Sequence, residues 1–171
     1  MQYMRVIPIG PQEIFRFLQF FPKIPRNFAL IISLPTQKMK PTHIEHLGIA
    51  VKSLDECIPY FENLLGLKCY AIEEVKDQKV RTAFFMVGQM KIELLESTDP
   101  EGPIGKFLEK KGEGIHHLAF AFDNADIALK SAEEKGNQLI DKISRKGAEG
   151  MNIGFLHPKS THGVLIEFCS K

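Results

Sequence analysis

His46 and His117 each open a near-identical apolar run, and each is followed inside a second apolar run by a glutamate, Glu93 and Glu167, 47 and 50 residues further on. The first stretch reads His46-Leu47-Gly48-Ile49-Ala50-Val51 and closes on Ile92-Glu93-Leu94-Leu95. The second reads His117-Leu118-Ala119-Phe120-Ala121-Phe122 and closes on Ile166-Glu167-Phe168. Two imidazoles and two carboxylates offer nitrogen and oxygen donors of the hardness that suits a divalent metal ion. One histidine on a strand is commonly a satisfied structural residue, and one glutamate between apolar neighbours can simply face water. Recurrence of both at matching offsets selects the metal reading, with His46, Glu93, His117 and Glu167 as the donors.

The elements that must position these residues follow from periodicity. Side chains alternate faces along a strand, so His46 shares a face with Gly48 and Ala50, and His117 with Ala119 and Ala121. Small neighbours leave room for each ring, and the four donor tips are expected to converge on one cavity lined by Gly48, Ala50, Ala119 and Ala121. Leu47, Ile49 and Val51, like Leu118, Phe120 and Phe122, fall on the opposite, core face, and alternation sends His116 there too as a structural residue. Ser53-Leu54-Asp55-Glu56 is a capping box opening a helix that stops near Gly66 and is kinked by Pro59. Asn124 caps a helix over 125–135 that Gly136 closes. Strand-like runs follow each helix, 80–87 with 91–95 and 152–156 with 164–169. The pattern is βαβββ stated twice, an α+β chain.

A chain of 171 residues is long enough to bury a real core, and two modules sharing one site read as a single domain over 41–171, with modules of about 43–98 and 114–170. Its 22 basic and 21 acidic residues leave a net charge of +1 with no long run of one sign, which argues against nucleic acid as a partner. Cys57, Cys69 and Cys169 are odd in number and form no C-x-x-C pair, as fits a reducing, cytoplasmic setting. Residues 1–40 lie outside the repeat: Pro8, Pro11, Pro22, Pro25 and Pro35 interrupt them, and Glu13 is their only acid. The apolar run 28–34 is too short to span a bilayer, so no membrane partner is expected. This segment reads as a poorly ordered leader upstream of a natural start at Met39.

The paired βαβββ pattern, with one donor from the first and one from the last strand of each half, resembles the vicinal oxygen chelate, or glyoxalase-like, superfamily. More narrowly it is similar to the methylmalonyl-CoA epimerases. That likeness is carried by Ile44 to Val51, Asp77-Gln78-Lys79-Val80-Arg81, Lys91 to Glu96, Pro103 to Leu108, Gly114-Ile115-His116-His117-Leu118-Ala119, and His157-Pro158-Lys159-Ser160 leading into Gly163 to Glu167. The resemblance implies a glyoxalase fold and a homodimer. It implies a divalent ion, Co²⁺ first, with Mn²⁺, Zn²⁺, Ni²⁺ or Mg²⁺ as alternatives, on the same four residues. It also implies interconversion of (2R)- and (2S)-methylmalonyl-CoA by removal and return of the α-proton through an enolate. Glu93 and Glu167, expected on opposite sides of the ion, are the candidate bases, by releasing the ion or using an oxygen it does not hold. Some family members carry a further glutamate where Thr82 stands. The CoA phosphates would call for cations, and Arg145, Lys146 and Lys159 near the last strands are the candidates. A glyoxalase I-type lactoylglutathione lyase can use a similar donor set, and a non-enzymatic member of the fold would only bind a small molecule. An extradiol dioxygenase would use two histidines and one carboxylate on iron.

Overall fold

The apolar run around His46 forms β1 (His43–Val51), and the run around His117 forms β5 (Gly114–Ala121), in a computed structural model that describes residues 40–171. All but the last residue of the expected leader therefore lies outside the described residues. β1 is followed by α1 (Leu54–Leu65), β2 (Ala71–Val75), β3 (Val80–Val87) and β4 (Met90–Ser97). A linking helix, α2 (Pro103–Lys111), leads to β5, α3 (Ala125–Glu134), β6 (Arg145–Lys146), β7 (Asn152–Leu156) and β8 (Ile166–Ser170). The strands form one mixed sheet in the order β2-β3-β4-β1-β5-β8-β7-β6. Each half has the same internal order, and the halves meet where β1 and β5 pair antiparallel; β1 with β4 and β5 with β8 are parallel. This is the α+β arrangement of paired βαβββ modules.

Local chemistry sets the helix ends. Ser53 sits in the β region and its side chain accepts from the Glu56 N–H at 3.3 Å, while Gly66 ends α1 in the left-handed region at φ 65. Asn124 does the same for α3, accepting from the Ile127 N–H at 3.0 Å. Each such cap is worth about 1 kcal/mol. α1 runs on through Pro59, an exposed position, at the cost of one backbone hydrogen bond. α2 and the short strands β2 and β6 had no strong periodic signature; Pro103 at the first turn of α2 and Gly112 beyond its last turn are its only punctuation.

The two faces of the sheet do different jobs. Leu54 of α1 packs with Val51, Ala83, Phe85 and Leu94, and Leu129 and Ala132 of α3 pack on Leu156, so each half covers the same face with its own helix. Burying a Phe or Leu side chain contributes about 1.5–3 kcal/mol, which fixes the register of β3, β4 and β7. With odd and even positions thus assigned, the alternate residues of β4 and β8, Glu93 and Glu167, turn to the other face. Among the described residues no helix is long and apolar enough to cross a membrane.

Candidate metal centre

Two rows of residues cross the sheet and meet at its centre. In the first, Phe84 of β3 stands beside Glu93, Glu93 beside Gly48, and Gly48 beside His117. In the second, Phe155 of β7 stands beside Glu167, Glu167 beside Ala119, and Ala119 beside His46. Each histidine is thus paired with the small residue that lies two places after the histidine of the other module. A Cβ on Gly48 would lie 2.3 Å from Cε1 of His117, so the missing side chain is the space that the imidazole fills.

The donor tips converge. Nε2 of His46 lies 2.8 Å from Nε2 of His117 and 3.2 Å from Oε2 of Glu93, which is itself 3.7 Å from Nε2 of His117. Glu167 places Oε1 3.9 Å from Nε2 of His46 and Oε2 3.5 Å from Nε2 of His117. Donor atoms of His46, His117 and Glu167 all lie within 4.8 Å of one another. All four residues are buried. Two nitrogens bound at ~2.0–2.1 Å and at right angles on one ion lie about 3 Å apart, close to the separation of the two Nε2 atoms. Two buried carboxylates aimed at one point also concentrate negative charge that a cation would neutralise. A His/Glu group that fits a divalent metal therefore stands at the junction of the two modules.

The electrostatics of this cluster without an ion are those of groups sharing protons. Burial acts to lower the His46 pKa, but Glu93, Glu45 and Glu167 outweigh it and hold the imidazole up at about 9. Burial pushes Glu167 up to about 8 against the pull of His46, and it raises Glu93 as well. His117 is held well below its usual value by burial and then by the His46 charge. Glu93 has one further partner, Thr82, whose hydroxyl donates to Oε1 at 3.0 Å. Thr82 thus holds one carboxylate oxygen of Glu93 while the other, Oε2, faces the histidines.

The cavity here has a volume of about 180 Å³. Its walls are larger than expected. Gly48, Ala50, Ala119 and Ala121 lie beneath it as packed floor, and the wall is formed by residues such as Phe84, Phe155, Ile104 and Met151 around the polar cluster. Of the three candidate cations, Arg145 lines the cavity, its guanidinium 5.7 Å from the Phe155 ring centre and its Nε bonded to Asp141 at 3.2 Å. Lys146 and Lys159 do not line it; Lys146 reaches back to the Gly150 carbonyl at 3.2 Å and Lys159 is exposed.

Three residues that sequence periodicity did not select complete the wall. His116, expected on the core face, instead lines the cavity, with Nδ1 2.9 Å from Nδ1 of His117 and its ring edge-on to Phe107. Glu45 contacts Nδ1 of His46 and also Lys91 Nζ at 2.5 Å. Lys91 in turn reaches Glu149 at 2.5 Å. Strand alternation fails at Glu45 and His116 because each is an extra residue in its strand. The pairing steps from Ile44–Phe120 to His46–Ala119, and from Gly48–His117 to Ile49–Ile115. Such bulges re-aim side chains. Lys91 follows the rule, two places from Glu93, but a lysine in a strand carries no signal that separates it from a solvated one.

Residues 45–155 match the sequence profile of the Glyoxalase/Bleomycin resistance protein/Dioxygenase superfamily. The chain belongs to that superfamily. It is 43% identical over 126 residues to the uncharacterised protein YqjC of Bacillus subtilis, covering 74% of this chain and 90% of that protein. It is 33% identical to the ethylmalonyl-CoA/methylmalonyl-CoA epimerase of Cereibacter sphaeroides, covering 72% of this chain and 94% of the relative. Its fold matches a variant of the Streptomyces coelicolor methylmalonyl-CoA epimerase, solved in complex with 2-nitronate-propionyl-CoA, at a TM-score of 0.75 and 34% identity, covering 77% of this chain and 96% of that one.

Proposed function

We propose that the protein is a metal-dependent methylmalonyl-CoA epimerase, with His46, Glu93, His117 and Glu167 holding the ion and Glu93 and Glu167 serving as the proton-handling groups. The observation that carries this reading is the pair of buried carboxylates, one from each module, converging on two histidines in a cavity that Phe84, Phe155, Ile104 and Met151 also line. Epimerase relatives at 33–34% identity over most of their length support it.

Epimerisation at C2 of a 2-substituted malonyl thioester requires a proton to leave one face and another to arrive at the opposite face. A divalent ion held at the cluster supplies Lewis-acid stabilisation of the negative charge that develops when C2 loses its proton. Glu93 and Glu167 come from equivalent strands of the two halves, so each approaches the centre from its own side. In the ion-free cluster burial raises both carboxylates, Glu167 to about 8. Oxygens held by a bound ion lose basicity, so proton transfer falls to a carboxylate oxygen left free of the ion. Thr82, by holding Oε1 of Glu93, keeps Oε2 aimed at the centre. Phe84, Phe155, Ile104 and Met151 exclude water from the reacting carbon, and Arg145 at the wall is the cation best placed for an anionic part of the substrate.

One observation favours a second reading. Two glutamates with two histidines also suit a glyoxalase I-type lyase acting on a thiol adduct. The two are separated by supplying (2S)- and (2R)-methylmalonyl-CoA, and the methylglyoxal–glutathione adduct, with and without Co²⁺. Metal-dependent epimerisation of the CoA ester is the expected result; turnover of the adduct alone would replace the epimerase reading with the lyase.

A further inference from the structure

The bulge in β1 and the bulge in β5 fall at equivalent places, each on the residue just before a donor histidine. Both turn that residue toward Nδ1 of the imidazole that follows: Glu45 onto His46, and His116 onto His117. The same device built twice, in modules that otherwise differ at these positions, serves the histidines rather than the strands. The two partners are not alike, since Glu45 is a carboxylate and His116 a second imidazole.

We infer that Glu45 is a positioning residue for the ion: it fixes His46 with Nε2 toward the donor cluster, and is itself fixed by Lys91 and Glu149. This rests on the metal reading proposed above. A carboxylate has only acceptors to offer, so the proton between the two sits on Nδ1 of His46 and donates to Glu45. That leaves the lone pair of Nε2 for a metal, and a charged acceptor on the far nitrogen makes that lone pair more basic. Glu45 is only 9% exposed, so water does not compete for it, and its other oxygen accepts from Lys91 Nζ. Lys91 is 8% exposed and shares itself with Glu149 of the second module. Glu149 is held in turn by the Tyr70 hydroxyl at 3.1 Å, and its own backbone N–H donates to Glu73 at 2.8 Å. It sits at φ 53, in the left-handed region, a conformation that a non-glycine residue keeps only where its surroundings hold it. The chain Glu149–Lys91–Glu45–His46 therefore runs from a turn of one module to a donor of the other and sets the ring orientation before any ion arrives.

The test uses the full chain with Glu45→Ala and Glu45→Gln. Two quantities are read: the Co²⁺ dissociation constant by titration of the visible absorption, and the ¹⁵N shifts of the His46 ring in metal-free protein at a pH at which the imidazole is neutral. Loss of a partner of this kind weakens metal binding about 10–100-fold, so Glu45→Ala should fall in that range and lose the Nδ1–H pattern. Glu45→Gln, which keeps an acceptor oxygen without the charge, should weaken Co²⁺ binding by more than about threefold but less than Glu45→Ala does. Co²⁺ affinity within about threefold of the parent in Glu45→Gln, well below the loss expected for such a partner, together with unchanged ring shifts, overturns the inference, and the near-isosteric variant decides the matter even if Glu45→Ala does not fold. A parent that binds no Co²⁺ overturns the metal reading and this one together; a parent that binds while the variants match it overturns this one alone.

Discussion

Glu167 is the residue at which holding an ion and moving a proton can be told apart. Among the described residues it has no hydroxyl partner like the one Thr82 gives Glu93, and burial, helped by the Glu93 and Glu45 charges, raises it to about 8 against the pull of His46. Glu167→Gln keeps an oxygen for the ion but removes the proton acceptor. At saturating Co²⁺, C2–H exchange into D₂O is expected to stay suppressed by about 10²–10⁴-fold, the usual contribution of a general base, and to be more suppressed from one epimer than from the other. Equal loss for both epimers, fully restored by added metal, would make Glu167 a holder of the ion only. The four converging residues were legible in the sequence because a repeat states them twice. Glu45 and Lys91 were not, since one occurs before a single histidine of the pair and the other resembles any strand lysine; their roles exist only through the contacts they make.

Strands and their register carry the site. The rows Glu93–Gly48–His117 and Glu167–Ala119–His46 exist because a helix on one face of each module fixes which residues of β4 and β8 turn to the other. Alternation was enough to foresee that geometry, and it failed at the two places where a strand holds one residue too many, Glu45 and His116. It also placed the small residues in the cavity wall, whereas the imidazoles occupy the space above them. Gly48→Ala tests the row directly. A Cβ there would stand 2.3 Å from the His117 ring and 2.5 Å from its Nδ1, so the ring must move. A displacement of about 1 Å at a reacting centre can cost about 10²-fold in kcat, and that order of loss is expected, with weaker Co²⁺ binding and a folded protein by circular dichroism. Ala119, the matching residue of the other row, already tolerates its Cβ beside His46, so Ala119→Gly should leave Co²⁺ binding nearly unchanged.

At the scale of the molecule, the cluster ties metal, protons and stability together. His46 is held at about 9 against an ordinary 6.5, so its stabilising share is complete below about pH 6.5 and is lost as pH rises through 9. Glu167, raised from 4.5 to about 8, favours the folded state while protonated, and that advantage also fades as pH climbs between those values. The metal-free protein should therefore unfold at a lower denaturant concentration at about pH 9 than at about pH 6. An ion takes the place of those protons, so Co²⁺ should bind more tightly over the same rise and release protons on binding near neutral pH. Calorimetry in buffers of different ionisation enthalpy checks the release; no proton release and a flat affinity would mean that His46 and Glu167 do not hold the ion. The measurement that bears most directly on the proposed activity is exchange of the C2 proton of methylmalonyl-CoA in D₂O, followed for each epimer with the protein metal-loaded, chelated and reloaded with Co²⁺. Exchange and inversion from both epimers, abolished by chelation and restored by Co²⁺, is the predicted result. No exchange in the loaded protein, or exchange that survives removal of the ion, would contradict it.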